Sequence, residues 1–226
     1  MSKNRLIAFG CSNTYGEALP DCWIKANFGK NYMSGPNPSN FAWPSVLSER
    51  LNLDCVNLAK PGVSNKWICN EILNTDFVPT DLVVILWTYF DRSCIFQDDG
   101  SNKRLMIQDV TNLYINDELR KYTKEYYKKY HTNTNAIHES YLNINYAKLY
   151  LDSIGIKNYH FTCSNDVNMN NFVKSIFFKW NNVDMLDKLD YTKCRTDSAL
   201  DKLHPGITSQ KNIASEIHKF IKEENN

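Results

Sequence analysis

The sequence predicts an α/β fold, a three-layer α/β/α sandwich around a mainly parallel sheet. Three observations predict it. Apolar runs of strand character alternate four times with stretches carrying apolar residues at helical spacing, the pattern of successive βα units. The run LVVILW, Leu82–Trp87, is apolar at every position, as a central parallel strand covered on both faces must be. At 226 residues and 42% hydrophobic, the chain is long enough to bury a sizeable core, and residues 1–226 read as one domain.

Each element has its own signal. Residues 5–9 form the first strand, which ends at Gly10. Residues 17–40 are rich in Gly, Pro and Asn and read as a loop or lid beside that strand's exit. Residues 41–51 have helical spacing, with Asn40 as a cap and Pro44 in the first turn. Residues 53–58 (LDCVNL) give a second strand, residues 64–73 a helix and residues 82–87 the third strand. The pattern then weakens, so 95–137 reads as an insertion. It holds a turn at DDGSNKR and a charged, tyrosine-rich helix over 118–130 with a solvated face. A long helix over 136–154 stops at Gly155. Residues 156–162 make the fourth strand. An amphipathic helix over 206–224 turns Ile213, Ile217, Phe220 and Ile221 inward.

Composition narrows the function. A formal net charge of +1 lacks the basic excess that nucleic-acid partners require. Seven cysteines with no CxxC pair fit neither a disulfide framework nor a zinc site, so no metal is expected. Cys55, Cys69 and Cys163 lie in apolar contexts and read as small core residues in a reducing compartment. No apolar window reaches 18 residues, which predicts no membrane span. The N-terminal stretch lacks the features of a signal peptide, so the expected location is cytoplasmic.

In open α/β sheets, ligands bind outside the carboxyl ends of the strands. The first such loop is GCSNTYG, residues 10–16. As a phosphate cradle it fails the P-loop pattern: its second glycine comes one residue late and is followed by Glu17 instead of lysine. A GxGxxG fingerprint is absent too, which leaves a flavodoxin-like phosphate loop of serines and threonines as the remaining route to nucleotide or flavin binding. As a nucleophile, Ser12 needs an imidazole base held by a carboxylate. Of the five histidines, His131 and His138 fall in weakly patterned sequence, His160 reads as a satisfied core residue, and His218 sits among charges on the last helix. His204 lies in a loop before Pro205. Asp201, three residues earlier, can fold back onto the ring nitrogen that faces away from the serine.

Gly10, Ser12, Thr14 and Gly16, the late Asp201, His204 and Pro205, and Gly62 of NLAKPGVSN together resemble the SGNH hydrolase superfamily, the GDSL esterases and lipases. Cys11 stands where that family has aspartate. The combination of GCSxTxG, GxSN and WTxxxR resembles a divergent branch found in bacteriophages and bacteria. The resemblance implies a flavodoxin-like sheet, Ser12 as nucleophile, His204 as base and Asp201 as its orienting partner. It also implies an oxyanion site made by the backbone N–H groups of Ser12 and Gly62, with no cofactor. The family's third block, G-x-N-D, has an asparagine that donates a further hydrogen bond. Here that place reads WTYFDR, and no asparagine lies between Trp87 and Arg92. Thr88 or Asn65 is left as the third donor. Arg92 either pairs with an acid such as Asp91 or grips a carboxylate or phosphate of the substrate. Trp23, Tyr32, Phe41 and Trp43 are lid and core residues that stack on sugar rings if they line the groove. The implied function is hydrolysis of a carboxylic ester, with a small acyl group such as acetyl on a carbohydrate. The alternative is a non-catalytic structural or glycan-binding protein of the same fold, including a virion-associated component of a phage particle.

Overall fold

Alternation along the strands decides the layers. The computed structural model describes residues 4–25, 32–110, 116–163 and 188–224. In chain order, β1 (Arg5–Gly10) leads into a one-turn helix α1 (Ser12–Tyr15) and a short hairpin, β2 (Trp23–Lys25) with β3 (Tyr32–Ser34). Then come α2 (Trp43–Leu51), β4 (Asp54–Asn57), α3 (Asn65–Leu73) and β5 (Leu82–Trp87). A second hairpin, β6 (Ser93–Phe96) with β7 (Asn102–Leu105), precedes α4 (Asp117–Lys129), α5 (Asn133–Ser153) and β8 (Lys157–Thr162). A one-turn α6 (Tyr191–Cys194) and the long α7 (Ile207–Glu223) follow.

The central sheet has the order β4–β1–β5–β8, and every pairing is parallel. Ile7, Phe9, Val83, Ile85 and Trp87 point to one face, under α3 and α5. Leu6, Ala8, Val84, Leu86 and Phe161 point to the other, under α2 and α7. The two-residue period of a strand thus fills two apolar layers from one run of sequence. The chain passes from β1 outward to β4, then back across β1 to β5. Strand order therefore reverses at β1, and this is where an open α/β sheet leaves a crevice. Among the described residues, no helix is long and apolar enough to cross a membrane.

The predicted α/β/α sandwich is the one observed. Local differences have physical causes. The stretch 17–40 contains the β2–β3 hairpin, and its end is tied to α1. The Tyr15 hydroxyl donates to the Gly35 carbonyl at 2.5 Å, and Ser39 N donates to the Tyr15 carbonyl at 2.9 Å. Helix α2 starts at Trp43 with Ala42 as its cap; Gln210 Oε1 takes the Trp43 N–H at 2.9 Å, and Asn40 lies three residues before the helix, its own N–H bonded to Asp21 at 2.7 Å. The DDGSNKR turn is the tip of the β6–β7 hairpin. Cys69 and Cys163 are buried as expected, but Cys55 is exposed, because β4 is an edge strand.

At the amino ends of the strands, Arg5 forks onto Asp81 with hydrogen bonds of 2.8 and 2.6 Å, and Val78 N donates to the same carboxylate at 2.8 Å. Burial alone raises the Asp81 pKa, but these bonds outweigh it and hold the carboxyl below its ordinary range. Asp81 therefore stabilises the fold at neutral pH and loses that contribution as pH falls through its lowered pKa. Arg5 is partly exposed. We expect Asp81→Asn to lower the unfolding free energy by about 2 kcal/mol at pH 7. Urea titrations of variant and wild type should converge as pH falls below the lowered Asp81 pKa.

Candidate active site

The site begins with how the chain leaves β1. Cys11 is extended and caps α1, and its carbonyl accepts from Thr14 N at 3.0 Å and Tyr15 N at 2.9 Å. Gly16 ends the turn in the left-handed region (φ 78°), and a Cβ there would lie 2.7 Å from that of Ser39. Where the sequence suggested a loop, the two glycines bound a single helical turn whose first residue is Ser12. That turn is fixed from behind. Gln210 Nε2 donates to the Asn13 carbonyl at 3.1 Å, while Gln210 Oε1 accepts from Trp43 N at 2.9 Å. Asn57 Nδ2 donates to the Thr14 carbonyl at 2.8 Å.

The loop before α7 carries His204. Asp201 Oδ1 accepts from Leu203 N at 2.9 Å and His204 N at 3.0 Å, and Oδ2 lies 2.5 Å from His204 Nδ1. Burial pushes the Asp201 pKa up, but the bonds from His204 and Leu203 outweigh it and lower it. The D-x-x-H turn thus sets the imidazole as expected, with Nδ1 toward the carboxylate. The other nitrogen, Nε2, faces Glu17 Oε2 at 3.4 Å. Ser12 Oγ approaches Cys11 Sγ at 4.0 Å, and among the described residues no hydrogen bond joins Ser12 to His204. Ser12, Glu17, Gly62, Arg92, Arg104 and His204 nevertheless line one cavity of about 520 Å³.

Two backbone donors face this chemistry. Ser12 N is the first N–H of α1 and has no acceptor within the helix. Gly62 sits in the loop after β4. Among the described residues, neither N–H donates to a protein acceptor. The two expected third donors are employed elsewhere. Asn65 closes on the backbone of Thr88: its Oδ1 accepts from Thr88 N at 2.8 Å, and its Nδ2 donates to the Thr88 carbonyl at 3.2 Å. Thr88 is fully buried, and its Oγ1 accepts from Arg92 Nη1 at 3.1 Å. Neither residue is among those lining the cavity. Their job is to hold the end of β5 against α3.

Arg92 lies over the Tyr89 ring, and among the described residues its buried Nε has no hydrogen-bond partner. It makes no ion pair with Asp91. Its charge acts on the buried thiols beneath Ser12. Cys11 is drawn well below the ordinary thiol range, first by a hydrogen bond from Cys163 and then by the Arg92 charge, against the cost of burial. Burial, together with Cys11, pushes Cys163 the other way.

His160 is a satisfied core residue. It accepts from Trp87 Nε1 at 3.0 Å through Nδ1, so Nε2 carries the proton and donates to Asn158 Oδ1 at 2.9 Å. Burial lowers its pKa to about 3. Trp43 is core and Phe41 is exposed; neither they nor Trp23 line the cavity. The Tyr32 side chain lies outside the described residues. Among those residues, no group of three or more His, Cys, Asp or Glu is placed to hold a metal ion. Glu17 and Arg104 were missed from sequence. Glu17 follows the motif directly, but nothing local marks Arg104, which reaches the cavity only through the β6–β7 hairpin.

No protein-family profile matches the chain, and no curated protein matches it in sequence. Solved structures do resemble it. One is a carbohydrate esterase whose active site displays divergent catalytic and non-catalytic binding functions (TM-score 0.54, 11% identity). The match covers 99% of this chain and 66% of that one, so this chain spans about two thirds of its length. TesA matches with TM-score 0.52 and 11% identity over 97% of this chain and 99% of that one. The psychrotrophic esterase EstA from Pseudoalteromonas sp., inhibited by monoethylphosphonate, matches with TM-score 0.50 and 10% identity over 99% and 100%.

Two outcomes follow from this geometry. Gln210→Leu leaves a buried N–H and a buried carbonyl unpaired, at roughly 1–3 kcal/mol each, and urea denaturation should register the loss. Wild type should keep an ultraviolet thiolate absorbance to lower pH than an ordinary thiol does. It should be missing from Cys11→Ser.

Proposed function

We propose that this chain, which has the fold of the SGNH hydrolases, is a serine hydrolase of carboxylic esters. One observation carries the reading: Ser12 and an Asp201-held His204 open into the same cavity, although they come from opposite ends of the sequence. Ser12 Oγ attacks the ester carbonyl carbon while its proton passes to His204 Nε2. The carbonyl π electrons move onto oxygen, where the N–H groups of Ser12 and Gly62 receive them. The tetrahedral intermediate collapses, the alcohol leaves with the proton from His204, and water repeats the sequence to release the acid. Asp201 holds the tautomer and stabilises the imidazolium. For attack, Ser12 must replace the Glu17 carboxylate beside Nε2. Such contacts are commonly long before substrate binds.

The substrate class is a small acyl ester, acetyl on a carbohydrate being the best fit. A cavity of about 520 Å³ holds a sugar ring with its acyl group. The likeness to a carbohydrate esterase supports the same class. Arg92 lines the cavity wall, where Tyr89 and Thr88 hold its guanidinium, and it remains the candidate grip for an anionic group of the substrate. A second reading, a glycan-binding protein without turnover, is favoured by one observation: His204 Nε2 faces Glu17 and not Ser12.

Incubation with a fluorophosphonate should label the chain at Ser12, read by peptide mass spectrometry. Ser12→Ala and His204→Ala should abolish both labelling and p-nitrophenyl acetate hydrolysis. Asp201→Asn should lower kcat by about 10²–10⁴-fold. Turnover that survives in Ser12→Ala contradicts the mechanism. Absence of labelling together with retained binding to acetylated glycans selects the second reading.

A further inference from the structure

The departure of WTYFDR from the family pattern leaves the oxyanion without a side-chain donor, and neither Asn65 nor Thr88 lines the cavity. A different cationic group lines that cavity beside Gly62. Arg104 lies on β7, opposite Cys94 of β6. Cys94 is buried, and the hairpin packs on α3, the helix that starts just after Gly62. The stem is clamped by α4: the Tyr127 hydroxyl lies 2.6 Å from the Asp91 carbonyl and 3.1 Å from that of Leu105. Asp91 lies two residues before β6, and Leu105 ends β7, so this one hydroxyl closes the hairpin's base.

The clamp carries the Arg104 guanidinium across Gly62. A Cβ on Gly62 would lie 2.7 Å from Arg104 Nη1 and 3.3 Å from its Cζ. Gly62 also has φ +74°, which L side chains rarely adopt. The glycine thus presents its N–H in a left-handed turn and lets a cation approach from above. Among the described residues, the Arg104 guanidinium has neither a hydrogen bond nor an ion pair, although Glu17 and Asp109 line the same cavity. Arg92 is the other cation on the wall, but Thr88 and Tyr89 hold it.

We propose that Arg104 is a catalytic residue, the side-chain oxyanion donor that the third block does not supply. The proposal rests on the hydrolase reading above. The guanidinium lies against Gly62, the residue of the predicted backbone donor, and carries charge opposite to the oxyanion; Arg104 is exposed, and what holds it in place is the hairpin backbone pinned by Tyr127. No proton changes hands: its N–H groups hydrogen-bond the oxygen that gains the electron pair when Ser12 adds to the carbonyl. Attraction to that oxygen grows as its charge develops, so the effect belongs in kcat.

The experiment compares wild type, Arg104→Met, Arg104→Lys and the hairpin control Lys103→Ala on a neutral ester, p-nitrophenyl acetate, and an anionic one, p-nitrophenyl hemisuccinate. Lys103 lies over Tyr122, away from the cavity. For Arg104→Met we expect kcat to fall about 10²–10³-fold on both esters, with KM within about threefold of wild type. Arg104→Lys should fall between the two, and Lys103→Ala should match wild type. In Arg104→Ala, millimolar guanidinium should restore part of kcat. Unchanged kcat on the neutral ester in Arg104→Met overturns the assignment. A loss confined to the anionic ester, or to KM, also overturns it and makes Arg104 a substrate grip. If wild type itself neither hydrolyses the esters nor reacts with a fluorophosphonate, the hydrolase reading fails first and the assignment falls with it. Circular dichroism of each variant separates these results from misfolding.

Discussion

The buried amide of Gln210 holds the two halves of the candidate site in register. It stands on α7, six residues after His204, and is fully buried. One end of the amide accepts the first free N–H of α2, and the other donates to the carbonyl of Asn13, next to Ser12. A buried amide with both ends used is stiff, because moving it leaves two polar groups unpaired. The base loop therefore cannot drift from the nucleophile turn without breaking the contact among α1, α2 and α7. Every other feature of the site is arranged around that spacing.

The same economy appears at the end of β5. Asn65 and Thr88 were plausible oxyanion donors from sequence, but their polar atoms satisfy each other and Arg92. A buried backbone N–H and carbonyl just past a strand end need partners, and the nearest side-chain amide fills that need. On the proposed hydrolase reading, the developing charge then falls to the backbone of Ser12 and Gly62 and to a cation brought in from outside the central sheet. The hairpin at the start of the stretch read as an insertion thereby gains a role: it is pinned by Tyr127 and lies on α3.

How much was legible in the sequence depended on range. β5 could be read because six consecutive apolar residues allow only a strand covered on both faces. The Asp201–His204 contact could be read because it depends on residues within a few positions of one another. Gln210, Glu17 and Arg104 could not, because their roles come from contacts across the fold, 197 residues apart between Gln210 and Asn13. Helix α2 was read two residues early for the same reason: the first N–H of the helix, on Trp43, is served by Gln210, 167 residues away.

The most direct test is a crystal structure of the covalent adduct formed with a monoalkyl phosphonate, whose tetrahedral phosphorus mimics the intermediate. The account predicts phosphorus bonded to Ser12 Oγ and His204 Nε2 turned from Glu17 toward that oxygen. One phosphonyl oxygen should lie within about 3 Å of Ser12 N, Gly62 N and the Arg104 guanidinium. An adduct on another residue, or a phosphonyl oxygen pointing away from Gly62 and Arg104, would contradict it.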